Sequence, residues 1–145
     1  MKTGNILRVP ADVSQLAAVR QFIRDQASTA GADGTATDDL VFAVDESVTN
    51  TIVHGYRGQD GSIEVEVDKV GNALVVRLRD HAPPFDPTTA PLPDTTLPPE
   101  KRPPGGMGIY LTRELIDEMT YRQTDTGNEL TLVRQFSDGQ GGVNC

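Results

Sequence analysis

The chain reads as an α+β sandwich of a single domain, a mixed, mostly antiparallel sheet with its helices on one face. Three observations carry that reading. Apolar residues recur at helical spacing in two early stretches. They alternate with polar and charged residues in later stretches. The elements also come in runs, in the order β-α-α-β-β-loop-α-β-β, rather than as strand–helix alternation.

The first strand is Asn5 to Val9, which alternates and stops at Pro10. A helix follows. Asp12 with Gln15 three residues on has the form of a capping box, and Val13, Leu16, Ala17, Ile23 and Ala27 make its apolar stripe until Gly31 to Gly34 ends it. Thr37 is the expected N-cap of the second helix, since Asp38 and Asp39 suit the positive end of a helix dipole. Leu40, Val41, Val44, Val48 and Ile52 form that helix's dry stripe, and Gly55 is its expected terminator. The period then changes to two. Ile63, Val65 and Val67 alternate with Glu64, Glu66 and Asp68, and after a turn at Lys69 to Asn72, Leu74, Val76 and Leu78 alternate with Arg77 and Arg79. The result is a hairpin with one dry face, and the acids of its first strand lie across from the arginines of its second on the wet one. A third helix ends near Asp117, and strands at Thr120 to Thr124 and Glu129 to Phe136 turn at Thr126 to Asn128.

Composition narrows the function. Thirteen Lys or Arg against 21 Asp or Glu give a net charge of −8 with no basic tract, which argues against direct nucleic-acid capture. No apolar run spans a membrane and the N-terminus has no signal-peptide core, so the expectation is a cytoplasmic protein without membrane contact. Cys145 is the only cysteine, which leaves no thiolate cluster for zinc. Nine of the ten prolines fall between Pro83 and Pro104. A loop that long inside one domain is expected to be a lid or binding loop rather than a linker, because the sequence after it is too short to bury its own core. The organisation expected is one domain over residues 1–136 with a lid at 87–104, and a polar, Gly-rich tail at 137–145.

Three local patterns carry chemistry. Glu46, Asn50 and His54 lie four apart, so on a regular helix they share one polar stripe, which is either a solvated helix face or a site with a carboxylate able to take a proton and an amide oxygen suited to a hard cation; His54 reads more simply as a capping or surface histidine near the helix end. Asp80 has the parity of Leu74, Val76 and Leu78, so if the strand stays regular its carboxylate turns to the dry face, where it needs a donor from the protein or from a ligand; if the strand ends early, it is an ordinary turn residue. Gly105-Gly106-Met107-Gly108 opens a helix, a place where unobstructed N–H groups and the helix dipole suit phosphate oxygens. A dinucleotide fingerprint is excluded because no strand directly precedes these glycines, and a Walker loop because no Gly-Lys-Ser or Gly-Lys-Thr is present.

In order and spacing these pieces resemble the GHKL ATPase superfamily, in particular the anti-sigma-factor serine kinases of bacterial partner-switching systems. Asp45-Glu46-Ser47-Val48-Thr49-Asn50 with His54-Gly55-Tyr56 is similar to the N box of that family. Asp80-His81-Ala82-Pro83-Pro84-Phe85-Asp86-Pro87 is similar to its first glycine box, and Gly105-Gly106-Met107-Gly108-Ile109-Tyr110-Leu111 to its second. The resemblance covers nearly the whole chain. It implies the two-layer GHKL (Bergerat) sandwich, ATP and Mg²⁺ as cofactors, and an ATP lid in the proline-rich loop. It implies that Glu46 orients or deprotonates the acceptor hydroxyl, that Asn50 ligates Mg²⁺, and that Asp80 accepts from the adenine amine. Gly106 and Gly108 would offer N–H groups to the phosphates, with Arg102 or Lys101 as charge partners, and Ala82, Phe85, Gly105 and Met107 complete the nucleotide-binding set. Its implied partners are a STAS-type anti-sigma antagonist and a sigma factor, with a homodimer among the assemblies it allows.

One position departs from the pattern, which places glycine where this chain has Ala82. Pro83 follows directly and biases Ala82 toward the extended, negative-φ backbone in which a methyl group is tolerated. The leading expectation is therefore an ATP-dependent protein serine kinase that is also an anti-sigma factor. The alternative is a non-catalytic, nucleotide-gated protein-binding module. The ATP domain of a sensor histidine kinase is disfavoured, because the sequence leaves no room upstream for a phosphoacceptor hairpin.

Overall fold

A computed structural model describes residues 5–84, 86–89, 96, 98 and 106–137. After strand β1 (Ile6–Pro10), Asp12 caps as expected: its carboxylate accepts from Ser14 N at 2.8 Å and starts a short 3-10 turn that runs into α1 (Leu16–Ala30). Gln15 does not close the capping box, because its amide reaches Ser14 Oγ instead. Val19, Ile23 and Ala27 are buried, whereas Val13 and Ala17 remain exposed. Gly31 ends the helix at φ 83°, a conformation that costs glycine little and lets its N–H reach the Ala27 and Ser28 carbonyls.

The second helix begins earlier than its dipole-friendly acids suggest. Asp33, not Thr37, caps α2 (Gly34–Asn50): its Oδ2 accepts from Ala36 N at 3.2 Å, and Thr37 Oγ1 turns back to the Asp33 carbonyl at 2.9 Å. Asp33 also holds Ser137, accepting from its N–H at Oδ1 (2.8 Å) and donating its own N–H to the Ser137 carbonyl (3.1 Å). These bonds, the one to Ser137 above all, keep the Asp33 carboxyl below the usual carboxylate range. Nor does Gly55 terminate the helix. After Asn50 the winding loosens into a π-helical segment, Thr51–Tyr56, closed by Arg57 N donating to Ile52 O at 3.2 Å, and the chain leaves through Arg57 at φ 55°.

The sheet has the order β1-β2-β3-β5-β4, built from β2 (Ser62–Val70), β3 (Ala73–Asp80), β4 (Glu118–Gln123) and β5 (Asn128–Gln135), and every pair is antiparallel among the described residues. The strands of the hairpin extend further toward their turn than expected, leaving only Gly71 and Asn72 outside the ladder, and β4 and β5 each begin ahead of their expected starts. The inner face stacks Ile63, Val65, Val67, Leu74, Val76, Leu78, Leu130 and Leu132 beneath α1 and α2, all of them buried. On the outer face Glu64 lies opposite Arg79 and Glu66 opposite Arg77, as the alternation predicts. Arg79 bridges Glu66 and Glu129 at 2.8 Å each, and Arg77 pairs with Asp68 at 2.9 Å. The third helix, α3 (Gly106–Leu115), packs against α2 and brings the glycine-rich helix start beside the polar side of α2.

Candidate functional site

Where α2, α3 and the C-terminal end of β3 meet, Asn50, Asp80, Ile109, Thr112, Asn128 and Leu130 are among the residues that line a cavity of about 30 Å³. The strand register builds it. Asp80 ends β3 on the inner face, flanked by Ile63 on β2 and Asn128 on β5. Its Oδ1 accepts twice, from Asn128 Nδ2 at 2.8 Å and from Ala82 N at 2.9 Å. The same Asn128 amide donates to the Ala82 carbonyl at 3.0 Å, and Tyr121 Oη donates to Asn128 Oδ1. One oxygen of Asp80 is thus fixed by the protein, while Oδ2 has no partner among the described residues.

Two contacts set this geometry. A Cβ built on Gly127 would lie 1.8 Å from the Asp80 carbonyl, so only glycine lets the β4–β5 turn come this close. Tyr56, from the π-helical segment, accepts from His81 N at 2.8 Å and donates to the Ser62 carbonyl at 2.7 Å, pinning the chain just beyond Asp80. Burial pushes the Tyr56 phenol above its ordinary value, the His81 N–H bond opposing it, so the hydroxyl stays protonated.

Asn50 is 9% exposed, and its side chain has no hydrogen-bond partner among the described residues. One turn earlier, Glu46 lies half-buried against the start of α3: a Cβ built on Gly108 would fall 1.9 Å from Glu46 Oε1. Burial raises the Glu46 carboxyl above its ordinary value, and the charge of Asp45 raises it further. Asp45 is itself held by Arg20 at 2.7 Å.

The structure therefore brings Glu46, Asn50, Asp80 and Gly108 to one place. Gly106 opens α3 and Met107 sits in its first turn. Ala82 is buried, on the side of Asp80 that faces Gly55. Phe85, Lys101, Arg102 and Gly105 lie outside the described residues, as does most of the expected lid. His54, which reads most simply as a capping or surface histidine near the helix end, is not among the residues lining the cavity beside Asn50. It is exposed and lines a separate cavity with His81 and Pro83.

Two site residues escape a sequence reading. Asn128 looks like a turn residue, and only its register opposite Asp80 reveals it. Thr112 had a legible signal, since it lies on the stripe of Ile109 and Ile116, where a third apolar residue is expected.

A family model described as histidine kinase-like ATPase domain matches residues 9–134. The serine-protein kinase RsbW of Listeria monocytogenes serovar 1/2a is 30% identical over 140 residues, covering 92% of this chain and 88% of that one. The serine-protein kinase RsbW of Bacillus cereus is 26% identical over 118 residues, covering 78% and 73%. Among solved structures, that of the RsbU and RsbW domains of Rv1364c from Mycobacterium tuberculosis shares the fold, with a TM-score of 0.60 and 19% identity over 90% of this chain. This chain spans 32% of that longer one. Nearly complete coverage by the family model and by a relative at this identity gives one conclusion: the chain belongs to the histidine kinase-like ATPase domain family.

Proposed function

We propose that the chain is an ATP-dependent protein serine kinase and anti-sigma factor that phosphorylates a STAS-type anti-sigma antagonist. The observation that carries this reading is the pairing of two acids in different settings. Asp80 is locked by internal donors and keeps one oxygen for a ligand's amine, and Glu46 is half-buried beside the glycine start of α3. The donor set suits the nucleotide and its metal. Asn50 presents a buried amide without a hydrogen-bond partner among the described residues, and its oxygen is a hard ligand for Mg²⁺. Mg²⁺ held there would supply charge neutralisation to the phosphates. Asp80 accepts from the adenine amine, the first turn of α3 faces the phosphates, and Glu46 takes the proton of the acceptor serine as its oxygen attacks the γ-phosphorus and ADP leaves. The cavity of about 30 Å³ is smaller than a purine, so its walls, Pro87 among them, part for the base to enter.

Incubating the protein with Mg-ATP and candidate STAS-domain proteins, then mapping phosphate by mass spectrometry, tests this. Phosphoserine on the partner supports the kinase. Tight binding of ATP or ADP with no transfer supports the non-catalytic, nucleotide-gated binding module instead.

Two substitutions probe the glycine boxes. In Gly108→Ala the new methyl group displaces the Glu46 carboxylate, while alanine favours the helix by up to about 1 kcal/mol over glycine. Transfer should fall by about tenfold or more with the melting temperature held or raised. An unchanged transfer rate would show that Glu46 is not where the proton leaves. At Ala82 the backbone φ is negative, since Arg57 is the one non-glycine residue at positive φ among those described. The methyl group is housed against Gly55, whose own Cβ would lie 3.1 Å from it. Ala82→Gly should therefore shift ATP affinity by less than about tenfold and lower stability by about 0.5–1 kcal/mol through chain entropy. A large gain in both affinity and melting temperature would instead favour the binding-module reading.

A further inference from the structure

Four hydroxyls on α2 and its π-helical extension turn back to the carbonyl four residues earlier: Thr37 to Asp33 at 2.9 Å, Ser47 to Ala43 at 2.7 Å, Thr49 to Asp45 at 2.7 Å and Thr51 to Ser47 at 3.1 Å. This is the ordinary arrangement for a helical hydroxyl. Thr112 on α3 does not follow it. The residue is 1% exposed, and its Oγ1 is buried without a hydrogen-bond partner among the described residues. It stands between Ile109 and Ile116 on the buried stripe, where valine would fill the same volume without burying an unpaired hydroxyl. It lines the same cavity as Asp80 and the apolar Leu130.

Resting on the nucleotide reading above, we propose that Thr112 is a specificity-determining contact for the base, its hydroxyl donating to a ring nitrogen of adenine flanking the amine that Asp80 accepts from. An adenine edge alternates acceptor and donor, and both ring nitrogens beside the amine, N1 and N7, lack a proton. In a pocket walled by Ile109 and Leu130 such a nitrogen needs a donor, and the Thr112 hydroxyl is one without a partner among the described residues. The carboxylate and the hydroxyl together then read two adjacent atoms of the base.

Calorimetric titration of the parent, Thr112→Val and Thr112→Ser with ATP, 1-deaza-ATP and 7-deaza-ATP tests this contact. The parent is expected to bind one of the two analogues about tenfold more weakly than ATP, as for one lost hydrogen bond. Thr112→Val should bind ATP about tenfold more weakly and no longer distinguish it from that analogue, Thr112→Ser should retain the parental pattern, and the ligand-free valine variant should melt no lower than the parent. A parent that binds ATP and both analogues equally would overturn the contact, as would a valine variant with parental ATP affinity, while leaving the Asp80 site standing. A parent that binds no ATP would overturn the nucleotide reading itself, and this inference with it.

Discussion

Asp80→Asn is expected to lower ATP affinity by about 100-fold or more while the protein keeps its fold. Oδ1 accepts from Asn128 Nδ2 and Ala82 N, and an asparagine keeps both bonds by placing its amide oxygen there. That choice forces the NH₂ group into the place of Oδ2, so a donor meets the adenine amine where an acceptor is needed. Loss of one bond to a charged acceptor together with an unpaired buried donor is worth about 3 kcal/mol, which is about a hundredfold in affinity. Calorimetry reads the affinity and thermal melting the fold. Parental affinity in Asp80→Asn would remove Asp80 from the site.

Glu46→Gln should retain nucleotide binding and lose phosphoryl transfer by about 10²–10⁴-fold, the range for removing a positioned general base. Glutamine preserves the volume beside Gly108 and cannot accept the proton. The pH dependence sharpens the assignment. Burial, with Asp45 adding to it, raises the Glu46 carboxyl, so the base is protonated at a higher pH than an ordinary glutamate. Transfer in the parent should rise with pH on an acid limb above the usual glutamate range, and the residual rate of Glu46→Gln should lack that limb. The sign also fixes stability. A raised folded-state value means that ionised Glu46 costs the native state increasingly as pH rises through it, so Glu46→Gln should melt at or above the parental temperature at neutral pH. A variant that transfers phosphate at the parental rate would exclude the general-base role.

The fold was legible wherever one interaction dominates. Period-two alternation fixed which side of β2 and β3 is dry, and because a sheet has only two faces, that alone placed the Asp80 carboxylate beneath the helices. The Glu46–Asn50 spacing survived because α2 stays regular through Asn50. The reading went astray where two chemistries competed. Thr37 with its acids looked like a helix start, yet Asp33 caps the helix because its carboxylate satisfies Ala36 and the distant Ser137 at once, a contact that spacing does not contain. Gly55 looked like a stop signal, but it is buried within the π winding because its missing side chain makes room for Ala82. Asn128 was invisible because its role depends on the cross-strand partner, whereas Thr112 carried a signal, a hydroxyl in the middle of the apolar stripe of Ile109 and Ile116.

The measurement that tests the account most directly is the structure of the protein crystallised with ADP and Mg²⁺. The account predicts the adenine amine within hydrogen-bond distance of Asp80 Oδ2, beneath α2 and α3, with the phosphates at the first turn of α3 beside Gly108 and Glu46. Density for the base elsewhere, for example in the cavity lined by His54, His81 and Pro83, would contradict it.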